Sequence, residues 1–533
     1  MSTKHIAKSA VIVSAITMLS RVLGYLRDAL NAALLGVGMA SDAFFVAFRI
    51  PNMLRNLLAE GALSSAFIPV FTEYLEKKKK EDVWLLTSNV LTVLNIILIL
   101  LTALGVVFAD PIVRVMAPGF IKDAAKFALT VQLTRYLFPF IYFISIAALF
   151  LGVLNSLKKF SMPAFAPVVL NVAMIAAGLW ICPLFGNTPE KQVYGWVIGA
   201  LIGAVLQIII QWIPAINEGY KFKFFIDLKE PGLRKIGKLM LPATIAQSVT
   251  QINLLVNTIL ASFLTGGAVT YLYYGNRLMQ LPFGVFGVAI ATVSFPYISQ
   301  YAARNDLESL RNTIHSSLKQ AFFITIPASA GLIFMSLPIN ALLLHYGRFT
   351  YADAVNTAKV SSVYCVAVFA FTGIKILTQV FYALDKAAIA VKISSFVMAL
   401  NIILCLALMR PFNFLGLAAA TAIGGIVQYW LLYHYAEKLV GDMKTKELLI
   451  YLLKITFISL IMGICVYFLN AYLAGMWNTV YSRKANALIV FICMLAGTAV
   501  YAVLLPLFRV HEAKTFMNMI KEKLKIKNQP QER

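Results

Sequence analysis

The chain has 533 residues, 60% of them apolar and only 13% charged, with a formal net charge of +23 and mean hydropathy +0.80. A soluble protein usually carries about 25% charged residues, so too little polar surface exists to solvate a compact body of this size. That excludes a soluble enzyme, a disordered chain and a coiled coil, and leaves a polytopic membrane protein.

Only α-helices and closed barrels satisfy their backbone inside lipid. Barrel strands alternate polar and apolar residues, whereas this chain shows long apolar runs such as Val83 to Ala109 and Ile455 to Ala474. The reading is therefore all-α. At the N-terminus Lys4 and Lys8 precede the apolar stretch Ser9 to Ser20, which imitates a signal peptide. Arg21 interrupts the run and no clear small-x-small cleavage site follows, so the segment is expected to be a retained first helix.

Taken in order, the runs predict about fourteen spans of roughly 20 residues or more. They fall near 9–35, 42–74, 85–109, 131–155, 163–182, 193–215, 237–263, 270–300, 319–344, 357–384, 389–409, 414–436, 447–470 and 486–508. Short connectors with ordinary breakers separate them, among them Gly36-Val37-Gly38 and Thr265-Gly266-Gly267. Cys182, Cys365, Cys405, Cys465 and Cys493 lie in or beside apolar runs without CxxC spacing and read as small hydrophobes of a packed bundle.

Most of the 46 lysines and arginines gather on the side that would hold both termini: Lys77 to Lys80, Lys158, Lys159, the run from Lys221 to Lys238 and the tail after Phe508. Basic loops stay cytoplasmic, so both termini are expected there, in the inner membrane. Anionic lipid headgroups would meet that face, with Lys521-Glu522-Lys523-Leu524-Lys525 as an anchor. No nucleic-acid partner is needed to account for the charge.

Three echoes link the first six spans to the next six. Arg49 with Phe67-Ile68-Pro69 is answered by Arg277 with Phe295-Pro296-Tyr297, Leu170-Asn171 by Leu400-Asn401, and Gly203 with Gln207 by Gly424 with Gln428. In matching order they favour a duplicated six-helix unit. An even span number makes the copies parallel, an architecture of transporters whose lobes rock about a central site. The expected division is an N-lobe 1–218, a C-lobe 219–440, two extra helices within 441–510 and a basic tail 511–533.

A charge at mid-bilayer costs about 2.5–3.5 kcal/mol, so such groups usually face a wet cavity or a partner. The cations inside spans are Arg21, Arg27, Arg49, Arg55, Arg135, Arg277 and Lys375; the acids are Asp28, Asp42 and Glu60. Arg21 and Asp28 are seven apart on one face, with Gly24 near the same stripe, and Asp42 and Arg49 repeat that spacing. Either pair would serve as a simple bundle staple. Pro51 should bend the second span between Arg49 and Arg55. Even with Arg135 and Lys375 snorkelling to the interface, the arginines outnumber the acids, and an anion should supply the difference.

Guanidinium groups fit phosphate oxygens bidentately, so a phosphate-bearing substrate is expected. The rival is an integral-membrane enzyme, which would need acid pairs or metal ligands. His5, His315, His345, His434 and His511 are scattered, and neither HExxH nor DxD is present. No catalytic residue, metal or cofactor is expected.

The run Ser20-Arg21-Val22-Leu23-Gly24-Tyr25-Leu26-Arg27-Asp28, then Ser41-Asp42-Ala43-Phe44-Phe45-Val46-Ala47-Phe48-Arg49-Ile50-Pro51-Asn52, then Leu54-Arg55 and Glu60-Gly61-Ala62, closely resembles the MurJ (MviN) family of lipid II flippases in the MOP exporter superfamily. Tyr274-Gly275-Asn276-Arg277-Leu278 with Leu281-Pro282 resembles that family's eighth helix.

The resemblance implies movement of the undecaprenyl-diphosphate-linked peptidoglycan precursor from the cytoplasmic to the periplasmic leaflet. It implies that Arg21, Arg27, Asp28, Asp42, Arg55 and Arg277 occupy functional cavity positions and that Glu60 belongs to the second-helix motif; with the helix-face reading, Arg21, Arg27, Arg55 and Arg277 are expected to bind substrate, and Gly24, Asp28, Asp42, Arg49 and Glu60 to serve gating or charge pairing. The two last spans would form a groove for the polyprenyl tail. Family members often read FYARxD near the end of the tenth helix; here Phe381-Tyr382-Ala383-Leu384-Asp385-Lys386 lacks that arginine. A flippase for another polyprenyl-diphosphate oligosaccharide would use the same chemistry and stays open on the residues alone.

Overall fold

A computed structural model describes residues 3–57, 63–264, 266–477 and 483–510, and every regular element among them is helical. In chain order these are α1 (Thr3–Leu35), α2 (Met39–Leu54), α3 (Ser64–Lys77), α4 (Lys80–Val107), α5 (Ala109–Met116), α6 (Ala124–Leu137), α7 (Pro139–Ser156), α8 (Ser161–Ala176), α9 (Pro189–Asn217) and α10 (Pro231–Ser262). There follow α11 (Ala268–Pro282), α12 (Val288–Ala303), α13 (Leu307–Phe334), α14 (Ser336–Leu344), α15 (Tyr351–Cys365), α16 (Val368–Ala383), α17 (Ala387–Val440), α18 (Thr445–Trp477) and α19 (Arg483–Leu507).

Among the described residues, 9 helices are long and apolar enough to cross a membrane, or up to 10 when the bent pair α15 and α16 counts as one span. That count covers the described residues alone and takes α17 as one span. The 54 residues of α17 would run roughly 80 Å at 1.5 Å per residue, far beyond a hydrocarbon core of about 30 Å. The helix in fact breaks at Asn413 (φ 51, ψ −135), just after Pro411. The three remaining expected spans lie on α1, the α2–α3 pair and α10, each of which runs partly outside the residues that the count covers.

The chain forms two compact units, Met1–Tyr271 with Leu343–Asp353, and Leu272–Leu342 with Ala354–Arg533. In the first, α9 packs against α8 and the turns that follow it along Gly195, Gly199 and Gly203, one turn apart. A Cβ at Gly199 would stand 2.4 Å from Cα-adjacent carbon of Ala177, and one at Gly203 2.6 Å from Leu170 Cδ1. Small residues let these backbones approach where lipid offers no hydrophobic drive between helices. A ring cluster of Phe67, Phe71, Trp84, Phe150 and Tyr220 fills the same unit.

The connectors of this unit sort onto two ends, as a helix ladder reversing at each turn requires. At one end Gly119 N donates to Ser262 Oγ at 3.0 Å, Arg348 N to Ala33 O at 3.0 Å, and the Arg348 guanidinium to Asn187 O. At the other, Tyr74 donates to Glu230 at 2.5 Å, Asn89 to Asp227 O at 2.8 Å, and Lys159 pairs with Glu218. The second end carries the lysine-rich connectors. Lys159 beside Glu218 holds that carboxyl below its ordinary range.

The second unit packs α13, α16, α17 and α18 around Phe322, Phe381, Tyr429 and Ile455. Asp306 caps α13 by accepting from Ser309 N at 3.0 Å. α19 is tied to α13 where Tyr501 donates to Phe323 O at 2.9 Å. Large apolar side chains stay exposed along α18 and α19, Phe468 at 66% and Val503 at 65% among them. Water would not tolerate so continuous an apolar face; lipid does. The chain is a polytopic membrane protein.

Candidate functional site

α1 carries its charges past the middle of the helix without interruption. Arg21 is half-buried, Gly24 is buried, and Asp28 is only 4% exposed. Asp28 does not take Arg21, seven residues away. Its Oδ1 accepts from Arg27 Nε at 3.0 Å and Nη2 at 2.6 Å. Neighbouring residues on a helix point about 100° apart, so the long arginine stem must fold back to reach its neighbour. Arg27 Nη1 also lies 4.0 Å from Met174 Sδ on α8. Beside it, Asn171 Nδ2 donates to Ser20 O at 3.0 Å, holding α8 against α1.

α2 begins at Gly38, whose N–H donates to Ser41 Oγ at 3.0 Å. The next residue, Asp42, is 1% exposed. Its partner is not Arg49. Asp42 Oδ2 meets Lys126 Nζ at 2.7 Å and accepts from Gly267 N at 2.8 Å. Oδ1 accepts from Thr270 N at 3.0 Å and Thr270 Oγ1 at 2.6 Å. Four donors from α6, the segment before α11 and α11 itself thus converge on one carboxylate. A buried charge persists only when paired and hydrogen-bonded in this way.

Lys126 is the residue that sequence reasoning missed, because the expected span began at 131. Asp123 caps α6 by accepting from Lys126 N at 3.0 Å, starting the helix seven residues earlier and burying Lys126 to 8% exposure. Its ammonium also sits 4.0 Å from the centre of the Phe120 ring. The Asp-x-x-Lys spacing before an apolar run was the available signal.

Arg49 instead uses Nη1 toward α10, donating to Leu254 O at 3.0 Å and Thr258 Oγ1 at 2.7 Å. Pro51 stays within α2, and the helix then widens into a π turn at 55–57; residues 58–62, which would join it to α3, lie outside the described residues. Arg55 is half-buried there, its Nη2 3.2 Å from Asn56 Oδ1. Glu60 lies outside the described residues.

Arg277 stands half-buried on α11 in the second unit. Gly275, two residues before it, lets α11 approach α15 closely: a Cβ there would stand 2.4 Å from Val360 Cγ1. A π turn at Phe283–Gly287 follows. Arg135 and Lys375 are exposed. Among the described residues no group of three His, Cys, Asp or Glu side chains is placed to hold a metal ion.

The described helices α1, α2 and α6 thus carry Arg21, Arg27, Arg49, Arg55 and buried Lys126 against Asp28 and Asp42. Asp42 is met by a cation that the expected span 131–155 had left in the preceding connector. Guanidinium groups can pair bidentately with two oxygens of a carboxylate or phosphate.

The family model for the lipid II flippase MurJ matches residues 31–487. The probable lipid II flippase MurJ of Buchnera aphidicola subsp. Acyrthosiphon pisum is 33% identical over 480 residues, covering 89% of this chain and 92% of that protein. The probable lipid II flippase MurJ of Vibrio cholerae is 35% identical over 438 residues, 81% and 83% of the two chains. A solved structure of lipid II flippase MurJ in an inward closed conformation is similar at TM-score 0.75 and 27% identity, covering 93% of this chain and 99% of that one. An inward-facing MATE multidrug transporter of the MOP superfamily, at TM-score 0.68 and 15% identity over 82% of this chain and 99% of its own, shares the fold. The chain belongs to the lipid II flippase MurJ family.

Proposed function

We propose that this protein moves lipid II, the undecaprenyl-diphosphate-linked peptidoglycan precursor, from the cytoplasmic to the periplasmic leaflet of the bacterial inner membrane by alternating access. Arg21, Arg27, Arg55 and Arg277 meet the diphosphate. Asp28 and Gly24 set the geometry of α1, while Asp42, Arg49 and Glu60 serve gating and charge pairing. The observation that supports this reading is the gathering of Arg21, Arg27, Arg49 and Arg55 on α1 and α2, with the buried Asp42 engaged by Lys126 rather than by an arginine. A diphosphate accepts forked hydrogen bonds from guanidinium groups. Transport needs only different affinities in the two facing states, and the membrane potential can bias a charged step by about 2.3 kcal/mol per charge per 100 mV.

In this reading 1–218 and 219–440 are the two six-helix lobes of a duplicated unit, and the helices within 441–510 offer their exposed apolar side chains to the polyprenyl tail. Both termini are cytoplasmic, with the lysine-rich connectors and the tail 511–533 facing anionic headgroups; that tail lies outside the described residues. Membership of the family and the sorting of basic connectors to one end support this orientation.

The test is substitution of Arg27 or Arg277 by Ala in cells depleted of their own flippase. Lipid II should accumulate in the inner leaflet while the variant remains inserted. Cell-wall synthesis at the parent rate would overturn the arginine site. Accumulation of a different polyprenyl-diphosphate oligosaccharide on depletion would reassign the substrate.

A further inference from the structure

Within the first compact unit, α9 and α10 are joined by residues 218–230, a connector without regular secondary structure. It is fastened at three places. At its start the buried Tyr220 ring lies 5.5 Å from Trp84 and 5.8 Å from Phe150, centre to centre. In its middle Lys223 N donates to Ser88 Oγ at 3.3 Å. Asn89 then holds Asp227 twice, donating from Nδ2 to Asp227 O at 2.8 Å and accepting from Asp227 N at 3.0 Å. At its end Glu230 caps α10, where Oε2 accepts from Leu233 N at 2.6 Å.

The side chains this fixed backbone turns outward are the apolar ones. Phe222, Phe224 (76%), Ile226 and Leu228 (63%) are exposed, while Phe225 and Asp227 between them are half-buried. A connector bathed in water would reverse that order, with the polar residues outside. An exposed apolar patch of this kind marks a surface for a protein or a membrane.

Its position and its charge select the membrane. Ile213 and Ile216 stay exposed at the end of α9, so apolar contact reaches within about a turn and a half of Lys221. On α10 it resumes at the exposed Leu239 and Leu241. Trp212 is exposed at the same level, as in the aromatic belts of membrane interfaces. The connector thus lies where hydrocarbon gives way to headgroups. Lys221, Lys223 and Lys229, all exposed, alternate with or flank the apolar side chains. Such cations complement anionic headgroups, and their stems can run along apolar surface while the ammonium stays in water.

We infer that residues 221–229 are an interfacial anchor: Phe222, Phe224, Ile226 and Leu228 enter the cytoplasmic leaflet at headgroup depth, and Lys221, Lys223 and Lys229 pair with anionic lipid phosphates. The choice of leaflet rests on the cytoplasmic placement of this connector in the reading above. Insertion itself rests on the exposed apolar side chains and their level along α9 and α10. Ser88, Asn89 and Glu230 are positioning residues that hold the anchor flat against the protein.

The experiment replaces the five native cysteines by Ser or Ala and attaches one environment-sensitive thiol dye, at Phe224→Cys or, as control, at Glu81→Cys in the exposed first turn of α4. The full chain is reconstituted in vesicles of phosphatidylcholine, alone or with phosphatidylglycerol. Lipids carrying a nitroxide near the headgroup should quench the dye at Phe224→Cys, and aqueous iodide should not. The control should show the opposite, which separates the site from the dye. Phosphatidylglycerol should raise the ratio of lipid to iodide quenching, by about fivefold for each lysine at the surface. Lys221→Gln with Lys223→Gln should abolish most of that gain, and Phe222→Ser with Leu228→Ser should lower the ratio in both lipids.

Iodide quenching at Phe224→Cys as strong as at the control, without quenching by nitroxide lipid, would overturn the anchor and leave the face to a protein partner. Equal ratios with and without phosphatidylglycerol would overturn the pairing with anionic lipid. The leaflet is read in a separate arm: labelling of Glu81→Cys by an impermeant thiol reagent added to intact spheroplasts would defeat the cytoplasmic placement, while the quenching pattern still decides insertion.

Discussion

Lys126 Nζ lies 2.7 Å from Asp42 Oδ2, a contact between the start of α6 and the first turn of α2. Both groups are almost sealed from solvent. Breaking one side of such a pair leaves an uncompensated buried charge and costs about 3–5 kcal/mol. Lys126→Met should therefore lower thermal stability sharply in detergent. Adding Asp42→Asn should recover part of the loss, since Asn still accepts from Thr270. A double-mutant cycle by thermal unfolding measures this, and strictly additive losses would refute the pairing.

Arg27 contacts Asp28 through two nitrogens, so its geometry is set before any ligand arrives. Arg27→Lys keeps the charge and loses the fork. Translocation should fall by about 10-fold or more, the scale of a charge-assisted hydrogen bond worth ~1.5–3 kcal/mol, with Arg27→Ala lower still. Transport of lipid II into the outer leaflet of vesicles reads this directly. Parent-like rates in Arg27→Lys would show that the fork is not used.

Gly199 faces Ala177 so closely that a Cβ would fall 2.4 Å from the Ala177 methyl. Gly199→Leu should force α8 and α9 apart, and overpacking typically costs about 1–3 kcal/mol. A loss of monodisperse protein on size exclusion, with Gly237→Ala unaffected because nothing lies within 4 Å of its Cβ, would identify the effect as steric.

Glu218 is held below its ordinary value of 4.5, first by its hydrogen bond to Lys159 and then by the charges of Lys159 and Lys80. A depressed carboxylate contributes stability above its ordinary value and loses it as pH falls through the folded value. Amide protection factors in the connector around Lys158 and Lys159, taken relative to intrinsic exchange at each pH, should therefore fall on acidification below 4.5. Lys159→Met should remove most of that pH response. The group is exposed, so the effect should be local and modest.

The comparison of Asn171 and Asn401 shows where reading a sequence stops. Both occupy equivalent places in the repeat echo. Asn171 donates to Ser20 O, whereas Asn401 Oδ1 accepts from Cys405 Sγ at 3.3 Å. The letter and its position were legible, but its partner was not. In the second expected span Pro51 lies within α2, and the helix takes a π turn from Arg55 to 57.

The all-α class, membrane residence, the basic sidedness of the connectors and the arginines on α1 and α2 could all be read from order and composition. Those properties depend on local periodicity and on whether a run of side chains prefers lipid or water. Which cation meets Asp42, how Lys126 came to be buried, and the return of Leu343–Asp353 to the first unit required the folded chain. Each joins residues distant in sequence, and a charge seven positions away on the same helix loses to one on another helix when packing brings the latter within hydrogen-bond reach.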